Sequence, residues 1–235
     1  MFARVILADP PWEYNDRRET RRDNAERKPK FGIGVARRYA ETMSPLVLSE
    51  LGPTIQAVSA PDAYLFMWAT CPMLSEALQT IEAWGFRYLT VAFVWIKTTQ
   101  TGECWKGPGH YIPSNAELCL HAIRKGGRPW HDTETTRPAQ EIREPHARLW
   151  KLNKHGRRYS AIHHSRKPET VQYRIEQWLN PYLDGHSRLE LFATRRRTGW
   201  ICYGGDVTRR DIREDLASAA RIASLYGGSL ANSSR

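Results

Sequence analysis

Cysteine is scarce in this chain of 235 residues. There are four, Cys71, Cys104, Cys119 and Cys202, with no CxxC pair among them. That spacing argues against a cysteine-built zinc module and a disulfide framework, and it fits a reducing compartment. No apolar run is long enough to span a bilayer and no secretory leader opens the sequence, so a soluble cytoplasmic protein with no membrane partner is expected. Internal repeats and low-complexity blocks are also lacking. Acidic residues are outnumbered, 25 against 35 basic ones, which gives a formal net charge of +10 and a pI of about 9.7. Such an excess favours a polyanionic partner. Two adjacent histidines, His163 and His164, have no third ligand at a workable spacing, so no metal site is expected.

The most informative residues stand near the start. Val5-Ile6-Leu7-Ala8 is a short apolar run that stops at Asp9-Pro10-Pro11-Trp12. It reads as a buried strand delivering a carboxylate to its C-terminal end, where open α/β sheets bind their ligands. Two prolines fix φ and remove two backbone donors, so the turn should be stiff and present bare carbonyl oxygens. A carboxylate, a rigid carbonyl and a flat ring suit a planar base carrying an exocyclic amine. The plainer reading is a strand-ending turn whose Asp caps a helix.

Further along, residues 15 to 38 are strongly polar and basic and read as a long loop. Ser44-Pro45 signals a helix start, with the helix running through Leu51. Ala63 to Trp68 is a strand, Pro72 to Trp84 a helix closed by Gly85, and Leu89 to Lys97 a second strand. Strand, helix and strand in succession imply a right-handed parallel crossover and an α/β sheet. Glu117 to Ile123 is a third strand, and residues 125 to 167 read as irregular and basic. A helix starts at Pro168 and stops at Asn180-Pro181. Strands follow at Leu189 to Ala193 and Trp200 to Tyr203, then a helix from Asp211 to Leu225, beyond which the Gly/Ser/Asn tail should fray. One domain with two polar insertions accommodates all of this.

Read together, these pieces resemble a known family, the DPPW-type adenine methyltransferases. It comprises the mRNA methyltransferase seventy-kilodalton subunit and its bacterial and phage relatives. The resemblance is carried in order by Ala8 to Trp12, Tyr39 with Thr42-Met43-Ser44, and Tyr64 to Thr70. Trp84 to Tyr88, Val94 to Lys97 and Asn115 to Leu120 come next. It ends with His164 to Pro168, Glu190 to Ala193, and Gly199-Trp200 with Gly204.

The resemblance implies a Rossmann-like fold, mostly parallel with helices on both faces and a permuted motif order. It also implies S-adenosylmethionine as cofactor and the exocyclic N6 amine of adenine in nucleic acid as methyl acceptor, DNA ahead of RNA. Asp9, Pro10, Pro11 and Trp12 are then the catalytic candidates. Asp9 and the Pro10 carbonyl would each accept an amine hydrogen, and Trp12 or Tyr14 would stack on the base, which a duplex would have to extrude. Ala8, Ser165, Lys167, Glu190, Phe192 and Gly204 are the cofactor candidates. Lys167, just ahead of a helix, suits the carboxylate of the methionine moiety. Tyr14, Arg17, Arg18, Arg37, Arg38, Lys97, Arg157 and Arg158 are the substrate candidates, the basic loops tracking phosphates.

The sequence departs from the family pattern at three places. Thr194 stands where the family has Arg, with Arg195 or its neighbours as substitutes, and Gly205 stands where it has Asn. Longer members also carry an acidic strand ahead of the catalytic one. Weakened cofactor affinity is the expected consequence. An RNA adenine methyltransferase and a catalytically silent nucleic-acid-binding subunit remain the alternatives, and a homodimer or a partner subunit is compatible with each.

Overall fold

The computed structural model describes residues 2–14, 42–107, 111–130, 137–145, 148–152, 158–162, 166–180, 183 and 187–230. For 148–152, 158–162 and 226–230 the description is of the backbone. The basic segment 15 to 38 lies outside the described residues.

In chain order the elements are β1 (Ala3–Ala8), α1 (Pro45–Glu50), α2 (Gly52–Val58), β2 (Ser59–Thr70), α3 (Leu74–Ala83) and β3 (Phe86–Thr98). They continue with β4 (Ala116–Arg124), β5 (Glu141–Pro145), β6 (Arg148–Leu152), β7 (Arg158–Ile162) and α4 (Glu169–Leu179). β8 (Arg188–Leu191), β9 (Ile201–Tyr203), α5 (Gly205–Thr208) and α6 (Ile212–Leu230) complete the chain. A seven-stranded sheet has the order β5-β3-β4-β2-β1-β8-β9. β1 lies parallel to β2 and β8, and β8 parallel to β9, while β4 runs antiparallel to both β2 and β3. Six strands therefore share one direction and β4 opposes them.

Strand periodicity sorts the core into two layers. Ile6 and Ala8 of β1, with Leu65 and Met67 of β2, face a layer containing Leu48, Ile55, Ala77, Ile81 and Leu216 from α1, α2, α3 and α6. Val5 and Leu7, with Tyr64, Phe66 and Trp68, face α4 through Val171, Ile175, Trp178 and Leu179. Both faces of the central strands are covered, which is why they read as continuous apolar runs. Local signals hold as well. Ser44 caps α1 by accepting a bond from the Val47 amide at 3.3 Å, and Gly85, at φ +80°, turns the chain out of α3.

Four expectations are corrected. β3 is parallel to β2, but antiparallel β4 lies between them, so the crossover skips a strand. The segment read as irregular contains β5, which extends the main sheet, and the antiparallel pair β6 and β7. Helix α2 follows α1 directly, because Pro53 at the start of a new helix restarts what Leu51 ends. The last helix continues through Gly227 and Gly228 to Leu230. Among the described residues no helix is long and apolar enough to cross a membrane.

Candidate active site

The same periodicity that builds the α4 layer assembles the site. Asp9 continues the Val5-Leu7 side of β1, Glu117 the Cys119-Ile123 side of β4, and Lys97 the Phe93-Trp95 side of β3. β4 enters the sheet where its parallel neighbours leave it, with Glu117 opposite Thr70 and Trp95. Four side chains from distant segments therefore meet on one face at the carboxyl edge: Asp9, Trp68, Lys97 and Glu117. Lys167 reaches them from just ahead of α4.

They form an alternating chain of charge. The Lys167 ammonium lies 2.8 Å from the Asp9 carboxylate and 3.3 Å from Glu117, and Lys97 donates to the other oxygen of Glu117. Lys167 also sits 5.7 Å from the centre of the Trp68 ring. Burial, helped by the charge of Glu117, pushes the Asp9 carboxyl above its ordinary range, and its contact with Lys167 and the charge of Lys97 offset this only in part. Burial acts on Glu117 in the same sense, but Lys167 and Lys97 together prevail and hold it below its ordinary range.

On the other side of β1, Glu190 of β8 faces the same layer and pairs with Arg197 at 2.6 Å. Burial raises the Glu190 carboxyl against that pull. Between β1 and β8 lies a pocket lined by Asp9, Trp68, Lys167, Glu190, Phe192 and Arg197, among others. This crevice is where the strand order reverses: β2 was laid on one side of β1 and β8 on the other, the usual place for a ligand in such sheets. Phe192 ends β8 with φ +60°, an uncommon conformation for an aromatic residue. Gly204 is needed for close approach, since a Cβ there would lie 2.4 Å from the Ala193 carbonyl oxygen.

Several candidates are thus brought together: Asp9, Lys97, Lys167, Glu190 and Phe192, with Ala8 buried at the end of β1. Others differ from expectation. The Pro10 carbonyl accepts the Trp12 amide at 2.9 Å and the Pro11 carbonyl accepts the Met43 amide at 2.8 Å, so neither is bare. Each retains a second lone pair. Trp12 is 5 % exposed, belongs to the layer on the opposite face, and donates its indole N–H to the Trp68 carbonyl at 3.1 Å. Tyr14, 41 % exposed and bonded to the Thr70 hydroxyl at 2.9 Å, is the ring on the rim. Lys97 is a largely buried ion-pair partner, not a surface cation that tracks phosphates. Arg17, Arg18, Arg37, Arg38, Arg157 and Ser165 lie outside the described residues, as does the side chain of Arg158.

Reading the sequence by residue type passed over Glu117 and Trp68 as site residues, and left Arg197 unassigned within the run Arg195-Arg196-Arg197. Glu117 had a signal, because a lone acidic residue opening the otherwise apolar run Leu118 to Ile123 is costly unless paired. Among the neighbours that could substitute at Thr194, Arg197 lines the pocket, whereas Arg195 turns to Glu169 at 2.5 Å.

A doubly wound, mostly parallel sheet with a buried carboxylate at its switch point has the architecture of a Rossmann-like methyltransferase. The chain belongs to the MT-A70 family, whose model matches residues 3–206. It is also similar to the Type II methyltransferase M.MunI of Mycoplasma sp, 32% identical over 208 residues, covering 86% of this chain and 77% of the relative. These kinships support an enzyme that transfers methyl groups to nucleic acid.

Proposed function

We propose that this chain transfers a methyl group from S-adenosylmethionine to the N6 amine of adenine in DNA. The observation that carries the reading is Asp9: a largely buried carboxylate at the end of β1, opening into the pocket that also holds Glu190 and Lys167. Adenine's amine is a poor nucleophile because its lone pair is delocalised into the ring. Asp9 and the free lone pair of the Pro10 carbonyl would each accept one amine hydrogen, drawing the nitrogen towards pyramidal geometry. Positioning and electrostatics dominate, and Asp9 need not be a strong base. Lys167 holds the carboxylate in place, and Tyr14 offers a face for the base.

The pocket chemistry fits the cofactor. Glu190 suits ribose hydroxyls, and Lys167 with Arg166 suits an amino-acid carboxylate. The buried indole N–H of Trp68 finds no acceptor among the described residues. S-adenosylmethionine, when bound, supplies an electrophilic methyl group. The net charge of +10 supports a nucleic-acid partner. DNA is placed ahead of RNA by the chain's resemblance to the bacterial and phage members of its family. A homodimer or partner subunit is compatible with this reading.

The experiment is transfer of labelled methyl from S-adenosylmethionine to duplex DNA, single-stranded DNA and RNA, with Asp9→Ala as control. Label in adenine of DNA, lost in the variant, is the expected result. Label in RNA alone would move the substrate, and no label despite cofactor binding would overturn the enzymatic reading.

A further inference from the structure

The segment joining β3 to β4 starts and finishes at the carboxyl edge, beside the site. Its stem is fastened to Lys97, whose amide donates to the Asn115 carbonyl at 2.7 Å and whose carbonyl accepts the Trp105 amide at 2.9 Å. One step further out, the Gly107 amide donates to the Ser114 carbonyl at 3.1 Å. The side chain of Lys97 is meanwhile the outermost member of the charge chain that ends on Asp9. Beyond this braced stem stand two adjacent side chains with almost no cover: Tyr111, 99 % exposed, and Ile112, 79 % exposed. Each half of that arrangement is unremarkable alone. A braced stem at the rim bearing two bare apolar groups together is the arrangement of a wedge.

We infer that Tyr111 and Ile112 enter the base stack of a DNA duplex and hold open the step from which the target adenine is extruded. The inference deepens the reading above and rests on it. Asp9 is 28 % exposed at the floor of its pocket, so an adenine still paired in a duplex does not reach it. Something must compensate the lost stacking, and apolar side chains inserted between base steps are the general means. Two neighbouring side chains match one step of a duplex. They are far smaller than the roughly 800 Å² per partner of a specific protein interface, which argues against a protein occupant. The chain's charge of +10 favours the polyanion as well.

The test uses the full chain and a short duplex carrying the adenine that sequencing maps as methylated in treated genomic DNA. The duplex is made in two forms, with the target adenine paired and with an abasic position opposite it. The double variant Tyr111→Ala, Ile112→Ala is expected to lose about tenfold or more in rate on the paired form and no more than about threefold on the unpaired form, since extrusion is cheapest for a base already unpaired. Tyr111→Phe with Ile112→Val should behave as the parent chain on both. A 2-aminopurine at the target should brighten with the parent chain and with Asp9→Ala, but not with the double variant. Equal losses on the two forms, or none, would overturn the wedge while leaving the methyltransferase reading intact. Absence of label from every nucleic acid would remove that reading, and the wedge with it.

Discussion

The two flanks of β1 treat buried carboxylates differently. On the β4 flank, Glu117 is held by two cations and its carboxyl is pulled below the ordinary range. On the β8 flank, Glu190 has Arg197 as its close partner and its carboxyl is pushed above that range. Asp9, at the end of β1 itself, shares Lys167 with Glu117 and is also pushed up. All three face one layer at one edge of the sheet, so position in the fold does not separate them. Direct contact does: Glu117 touches two cations, whereas Asp9 and Glu190 each touch one and each also faces a neighbouring carboxylate. The lesson is that the charge chain favours the anionic form of Glu117, while burial disfavours that form at Asp9 and Glu190.

The largest expected effect falls on the shared member. Asp9→Ala should lower methyl transfer by about three orders of magnitude, the scale of losing a preorganised polar contact to the reacting group, with nucleic-acid binding largely kept. Labelled transfer and gel-shift titration side by side check both halves. Lys167→Met strikes β1 and its β4 flank together, for it leaves Asp9 and Glu117 with Lys97 as the remaining cation of the charge chain. It should cost about 3 kcal/mol in urea unfolding at neutral pH, shrinking as the pH falls and the carboxyls protonate, and it should weaken cofactor binding. An unchanged dissociation constant would take Lys167 out of the cofactor's surroundings.

Next come neighbouring glycines on the β8 flank. Gly204→Ala drives a methyl into the Ala193 carbonyl and should cost about 2 kcal/mol. At Gly205 an added Cβ meets nothing within 4 Å, so Gly205→Asn should fold normally and tighten the cofactor about fivefold if it restores the family's nucleoside contact, worth about 1 kcal/mol. Calorimetric titration of the two variants separates packing from binding.

The smallest effects are in the pH dependence, and their signs oppose. Glu117, lowered from an ordinary 4.5, contributes stability present above that value and lost as the pH falls through its lower folded value. Asp9, raised from an ordinary 3.8, contributes stability present below that value and lost as the pH rises through its higher folded value. At neutral pH, Asp9→Asn should therefore raise stability by about 1 kcal/mol while abolishing transfer, and Glu117→Gln should lower it. Thermal melts from pH 3 to pH 8 would show the curves of the two variants diverging from the parent's in opposite directions.

Much of this frame was legible in the sequence, for physical reasons. β1, β2 and β4 are covered on both faces, so their apolar runs are continuous, and Ser44 and Gly85 mark helix ends by chemistry that acts locally. β5 escaped because only Ile142 of Glu141-Ile142-Arg143-Glu144-Pro145 is buried, which leaves no run to see. Antiparallel β4 between β2 and β3 escaped because strand order is decided by pairing across the sheet and not by any one segment. At the site, the position of Asp9 at a strand end was legible, since an apolar run stopped by a carboxylate and two prolines marks that point in the chain. The partnership of Lys167 with Asp9 spans 158 residues of sequence, and no local pattern encodes it. Trp12 misled in the other direction: its ring belongs to the core, and the exposed aromatic two residues on is the one at the rim.

The reversed direction of β4 has one more consequence. Because it runs against its neighbours, β3 and β4 form a hairpin whose two feet stand side by side on the working edge, at Lys97 and Asn115. Residues 99–107 and 111–114 stand outside the seven-stranded sheet, while the paired residues below keep their register. Substitutions in those residues leave the strand pairing, and with it the packing that holds Asp9 in place, unchanged.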